Sequence, residues 1–360
     1  MRLEDGLSIR GATLRNRIIM PPLVCFNWGD GRGYQTRDRA AHYGRRAAGG
    51  VGLIVAEATA VCPEGRIHAT ELGLWEDGQI DQFARIADAC AAYGVPVIVQ
   101  LVHAGAKAAA ERRVSASPSE PGAEPKVEAM DEAAIAKLVD DYAAAARRAR
   151  VAGLAGVEIH GAHGYLINQF ISAASNRRED GYGSGHPDGA AAGRRRLALE
   201  VCRAVRSELG AGLVMAYRFG VNDPTLAEDE ALAAALEAVG VDLLDVSAGI
   251  GWEGLEPEAG FPYSKVTWLG AAMKRRSALP VAAVFGVTKP EQARGLIEGG
   301  YCDLVAVGRG LLADPDWAGK ALRGEPVNEC LHCKPGCRFR EDGSLCPRSG
   351  KDAAPAVGAA

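Results

Sequence analysis

Two hydrophobic rhythms alternate along the chain. Short apolar runs of four to six residues read as strands buried on both faces. They fall at 18–21, 52–56, 97–101, 157–160, 214–218, 243–247, 281–284 and 304–307. Between them lie longer stretches rich in Ala, Leu and Arg with helical spacing, at 37–48, 80–93, 131–149, 194–209, 228–239, 264–276, 290–298 and 315–322. Asp131 suits an N-cap, Pro290 a first helical turn, and Gly94 and Gly210 helix ends. Eight strand–helix repeats predict an α/β fold, a (β/α)8 barrel, which typically needs about 250 residues. A doubly wound sheet would carry a GxGxxG turn after its first strand, and 18–22 leads into none. Residues 7–10 and 13–15 flank Gly11-Ala12 and predict a hairpin plugging the barrel floor. The proline-bearing interval 104–127 reads as a loop on the catalytic face. The expected organisation is a barrel over 1–325, a cysteine-rich metal-binding segment over 326–350 and a disordered tail over 351–360.

Composition narrows the class. An apolar fraction of 48% and a charged fraction of 24% are ordinary for a globular chain. A net charge of −4 argues against nucleic-acid binding through bulk positive charge. The 45 glycines have no period of three, which excludes collagen. The N-terminus lacks the apolar core of a signal peptide, and no run of about 18 apolar residues predicts a membrane span. The expected compartment is the reducing cytoplasm, where clustered cysteines more often bind metal than form disulfides. The count of nine cysteines is odd; Cys330, Cys333, Cys337 and Cys346 fall in the last 31 residues.

In a barrel of this kind, chemistry gathers where the strands end. Gln100, His160 and Arg218 are polar positions on otherwise apolar strands, and each costs free energy unless paired. Any one alone reads as a satisfied core hydrogen bond; three at the same end point to a shared polar ligand. Gly286, Gly308 and Arg309 follow the last two strands, where barrels recurrently bind phosphate. His160 and His163 are spaced for two metal ligands, but no third is in view. As neutral imidazoles they can instead donate to one carbonyl oxygen. Tyr165 is either a proton donor or a packed ring that bonds solvent.

These residues sit in an ordered set of motifs: LRNRIIMPP at 14–22, GLIVAEA at 52–58, QLVHAG at 100–105, EIHGAHGYLINQF at 158–170, SNRR at 175–178 with Asp180, Tyr182 and Gly183, and VGR at 307–309. Over about residues 3 to 325 the chain resembles the Old Yellow Enzyme family of FMN-dependent ene-reductases. The resemblance implies a TIM barrel with FMN at its mouth and NAD(P)H as co-substrate. It implies that Pro21, Pro22 and Ala58 line the flavin, Gln100 bonds its pyrimidine edge, and Arg218 lies near N1/O2. Gly286, Gly308 and Arg309 then hold the phosphate, His160 and His163 bind the substrate's activating group, and Tyr165 donates the proton. The implied reaction is ping-pong: a nicotinamide reduces FMN, and hydride from N5 then reaches the β-carbon of an activated alkene. Some relatives carry a redox-tuning cysteine at the place held here by Val24; Cys25 is one residue later. Cys25, with Phe26 and Trp28, is expected near the substrate pocket, ordinary packing being the alternative.

The spacing Cys330-x2-Cys333-x3-Cys337-x8-Cys346 resembles the [4Fe–4S] segment of the 2,4-dienoyl-CoA reductase and trimethylamine dehydrogenase branch. Its last interval is shorter than expected of that branch, and zinc is the rival. The expected function is an NAD(P)H-dependent reductase of an enone or enoyl thioester. The alternatives are a flavin-dependent amine or N-methyl dehydrogenase and an electron-transfer subunit of a larger complex. A small unsaturated substrate is the expected partner, with no membrane or nucleic acid. An external redox partner and a homo-oligomer stay open.

Overall fold

Eight parallel strands, buried along nearly their whole length, close into a ring in the computed structural model, which describes residues 1–349. A hairpin of β1 (Leu7–Ile9) and β2 (Ala12–Leu14) precedes the ring. The barrel strands are β3 (Ile18–Met20), β4 (Leu53–Ala60), β5 (Val97–Val102), β6 (Gly156–Gly161), β7 (Val214–Val221), β8 (Leu243–Ala248), β9 (Val281–Val284) and β10 (Leu304–Ala306). Each pairs with its sequence neighbours, and β10 returns to β3 through Val305 beside Ile18. All eight predicted strands are present. Their mainly apolar sequences follow from burial on both faces: helices cover the outside and the barrel core fills the inside.

The helices α1 (Arg39–Ala48), α2 (Ile80–Ala91), α3 (Glu132–Val151), α4 (Leu166–Ile171), α5 (Ala190–Leu209), α6 (Ala227–Ala238), α7 (Lys265–Lys274), α8 (Pro290–Glu298), α9 (Arg309–Ala313) and α10 (Trp317–Arg323) complete the barrel. Their starts follow capping chemistry. The Asp131 carboxylate accepts from the Ala134 N–H at 2.7 Å, and the Ser264 hydroxyl from Thr267 N–H at 3.1 Å. Ile9, Ala12 and Leu14 of the hairpin pack with the inward residues Ile19, Leu53, Ile98 and Leu304, so the hairpin closes the barrel floor. The interval 104–127 is not wholly irregular: Arg113–Ser115 pairs with Val127–Ala129.

Beyond α10 the chain continues as an appendix with one short helix, α11 (Arg338–Glu341). Phe339 on it is 1% exposed. Its ring packs 5.9 Å from Trp28 and 5.6 Å from His42, with the Arg46 guanidinium 5.7 Å away. This buried ring fastens the cysteine segment to the barrel. The tail expected over 351–360 lies outside the described residues. Among the described residues no helix is long and apolar enough to cross a membrane.

Candidate active site

The strand ends surround a cavity of about 480 Å³. That is within the usual range for a small-molecule or cofactor site, about 300–1,000 Å³. Pro21, Pro22, Ala58, Gln100, His160, His163, Tyr165, Arg218, Gly286, Gly308 and Arg309 all line it. Cys25 and Trp28 do not. Leu23 and Val24 face the cavity in their place, and the chain turns inward at Cys25. The Cys25 thiol is buried, and burial with the Glu57 carboxylate pushes its pKa well up. Trp28 is part of the core that receives Phe339. The two candidates for the substrate pocket therefore serve packing, as their apolar character allows.

Below the cavity lies a layer of buried charge. Arg218 Nη1 donates to Asp245 at 2.5 Å, and Gln100 Nε2 donates to Glu158 at 2.7 Å. Burial raises the pKa of both carboxyls, and Arg218 opposes the rise. The buried Nε of Arg218 has no protein partner. A buried donor left unpaired costs about 1–3 kcal/mol, so on a cavity wall it marks a place for a ligand acceptor.

The strand β6 delivers His160, and the turn after it delivers His163 and Tyr165. His163 has φ +60° and Gly164 φ +71°, a left-handed pair that reverses the chain within two residues. Two side chains from α4 brace this turn. Asn168 Oδ1 accepts from the Gly164 N–H at 2.7 Å, and Gln169 Nε2 donates to the Gly164 carbonyl at 2.7 Å. The helix was missed from sequence because all six of its residues are buried and leave no amphipathic stripe.

Hydrogen bonds define the histidine tautomers. The Ala162 N–H donates to His160 Nδ1 at 3.2 Å, so the proton of neutral His160 sits on Nε2. That Nε2–H donates to His163 Nδ1 at 3.2 Å, and His163 Nε2–H then donates to Ser247 Oγ at 2.8 Å. Burial, the neighbouring ring and Arg218 hold His160 far below its usual pKa. Burial, Arg218 and Lys107 hold His163 down at about 3. Both rings are therefore neutral donors at pH 7. The Tyr165 ring stands edge-on to His160 at 4.9 Å, and burial raises its phenol pKa, with Arg340 opposing.

The four appendix cysteines line a second, smaller cavity of about 30 Å³. Arg309, Leu312 and Cys337 line both cavities. Among the described residues no three His, Cys, Asp or Glu side chains converge as a ligand set for a metal ion. The expected metal is therefore not shown: the thiols gather round one space without closing on a point. Cys62, Cys90, Cys202 and Cys302 are buried thiols whose pKa burial raises.

Two neutral imidazoles, a phenol and three arginines thus gather around one cavity. Residues 5–328 match the model of the NADH:flavin oxidoreductase / NADH oxidase family, and the chain belongs to that family. It is 37% identical over 331 residues to the NADPH dehydrogenase of Bacillus licheniformis, covering 89% of this chain and 94% of the relative. It is 35% identical over 349 residues to the NADH oxidase of Thermoanaerobacter brockii. That match covers 91% of this chain, which spans only 52% of the relative's length. The Old Yellow Enzyme homologue from Zymomonas mobilis superposes with a TM-score of 0.76 at 26% identity, covering 92% of this chain and 95% of that one. The fold and the family together make this an FMN-dependent NAD(P)H oxidoreductase of the Old Yellow Enzyme type.

Proposed function

We propose that the protein reduces an activated C=C bond, in an enone or enoyl thioester, with hydride from NAD(P)H. The observation that carries this is the convergence of His160, His163 and Tyr165 on one wall of the cavity. The orphaned Arg218 Nε and the glycine-flanked Arg309 fit an FMN with its polar ring edge at the first and its phosphate at the second. Pro21, Pro22, Ala58 and Gln100 would line the ring, and Gly286 and Gly308 would flank the phosphate. FMN bound there supplies the hydride chemistry, taken from the nicotinamide and passed to the alkene.

The chain's own residues do the rest. The two imidazole N–H groups, released from His163 and Ser247, donate to the substrate carbonyl and stabilise the enolate charge that builds on it. Tyr165 gives its phenolic proton to the α-carbon as hydride arrives at the β-carbon. Its raised pKa keeps the phenol protonated at neutral pH. The test is Tyr165→Phe, followed in separate half-reactions. Alkene reduction should fall by roughly 10²–10⁴-fold, with flavin reduction by NAD(P)H changed little. Equal alkene rates in the variant and the parent would remove Tyr165 as the acid.

A metal cofactor on the cysteine segment belongs to this proposal, although no ligand set converges there among the described residues. Four thiols on one cavity are the donor number of a [4Fe–4S] cluster, with zinc the rival. Cys337 also borders the larger cavity; a cluster held there would supply one-electron exchange, with an external protein as the proposed partner.

A further inference from the structure

The flavin cavity is lined by three guanidinium groups and no carboxylate. Arg218 is paired with Asp245, and Arg309 sits at the phosphate end beside Gly308. The third, Arg340, comes from the cysteine segment, outside the barrel altogether. Its backbone is tied down on the rim: the Phe26 N–H donates to the Arg340 carbonyl at 2.6 Å, and Asn27 Nδ2 donates to the Glu341 carbonyl at 3.3 Å. The neighbouring Phe339 ring is buried in the core. The Arg340 guanidinium lies 4.8 Å over the Phe26 ring, exposed, and has no carboxylate partner among the described residues. Its charge reaches the Tyr165 phenol. The carboxyl on this side, Glu71, is fully buried, off the cavity wall and driven toward its neutral form by burial. A cation held on the rim of a cavity with no opposing charge favours an anion that protrudes from it.

We propose that Arg340 is a specificity-determining residue that selects unsaturated substrates bearing a carboxylate or phosphate at the end projecting from the cavity. This rests on the alkene-reductase reading of the same site. The reacting end lies against the His pair and Tyr165, and the anionic end lies outward against Arg340. The cation–π contact with Phe26 holds the guanidinium in place and leaves its N–H edge for the anion.

The experiment uses FMN-loaded parent, R340Q and R340K proteins. The probes are a cyclohexenone with a flexible carboxylate arm and its methyl ester. Two ratios of carboxylate over ester are read: Kd, from perturbation of the visible flavin band of the oxidised protein, and kcat/KM. Both preferences should fall by about five- to tenfold in R340Q, with R340K recovering part. Added salt should shrink the preference of the parent. Equal ratios in R340Q and the parent overturn the proposal, since a purely structural role would not touch the ratio. A defect confined to flavin reduction by NADH or NADPH also overturns it, because the cation would then serve the hydride donor. The Kd ratio needs no turnover. If neither probe is reduced, the alkene-reductase reading fails, and the Kd ratio still decides the role of Arg340.

Discussion

Replacing Arg218 with Met tests the buried charge layer under the cavity. The change keeps the length of the stem and removes the cation. The Asp245 side chain is 0% exposed and the Arg218 side chain 7% exposed, so water screens the pair little. Truncating one member of such a pair costs about 3–5 kcal/mol, because it leaves an uncompensated buried charge. The sign with pH follows from the two carboxyls. Asp245 and Glu158 already have raised folded pKa values, chiefly from burial, and Arg218 is the group that pulls them back. Without it both rise further, while in the unfolded chain they ionise near pH 4. The folded variant then holds protons that the unfolded chain has released. Stability is fully present below the unfolded pKa and is lost as pH rises, by roughly 1.4 kcal/mol per pH unit for each extra proton held. Urea unfolding of parent and variant near pH 5 and near pH 8 reads this difference directly. The R218M deficit should be larger at the higher pH, and a second change, D245N, should return much of it. A deficit under about 1 kcal/mol, or one equal at both pH values, refutes the reasoning.

Three further outcomes follow from the geometry. Phe339→Ala removes a buried ring worth about 3–5 kcal/mol of packing, so the appendix should detach from the barrel and be cut by trypsin near Arg338 and Arg340 far faster than in the parent. An unchanged cleavage rate would show that other contacts hold the segment. If the four cysteines hold the proposed cluster, anaerobically purified protein contains iron and sulfide, with a broad absorbance shoulder around 400 nm over the flavin bands. Stoichiometric zinc, or no metal, would sink the cluster. Because His163 is held down at about 3 and His160 lies far below its usual value, alkene turnover should show no histidine ionisation around pH 6.5. A limb there would mean that one ring is charged in the resting enzyme.

The barrel is readable from sequence because strands buried on both faces are mainly apolar, as the run Val281–Val284 is throughout. The same logic exposed Gln100, His160 and Arg218, since polar groups on such strands stand out. Ser247, the partner of His163, was hidden because it merely ends an apolar strand, where a serine is unremarkable. Cys25 was a pocket candidate by resemblance to relatives with a cysteine in that segment, and Trp28 because it follows closely. In the fold Trp28 packs against Phe339, more than three hundred residues away, and the Cys25 N–H donates to the Glu57 carboxylate. Arg340 was invisible for the same reason. Its nearness to Tyr165 arises only when the appendix folds back across the rim, and no local pattern encodes that contact.

The central claim is that this cavity passes hydride from a nicotinamide to an alkene. An anaerobic titration of the FMN-loaded protein measures it most directly. NADH or NADPH should bleach the flavin band, and a stoichiometric conjugated enone, added without oxygen, should restore it while being saturated at the C=C bond. A band that stays bleached with a panel of enones, and returns only with oxygen or an external electron acceptor, would contradict the account.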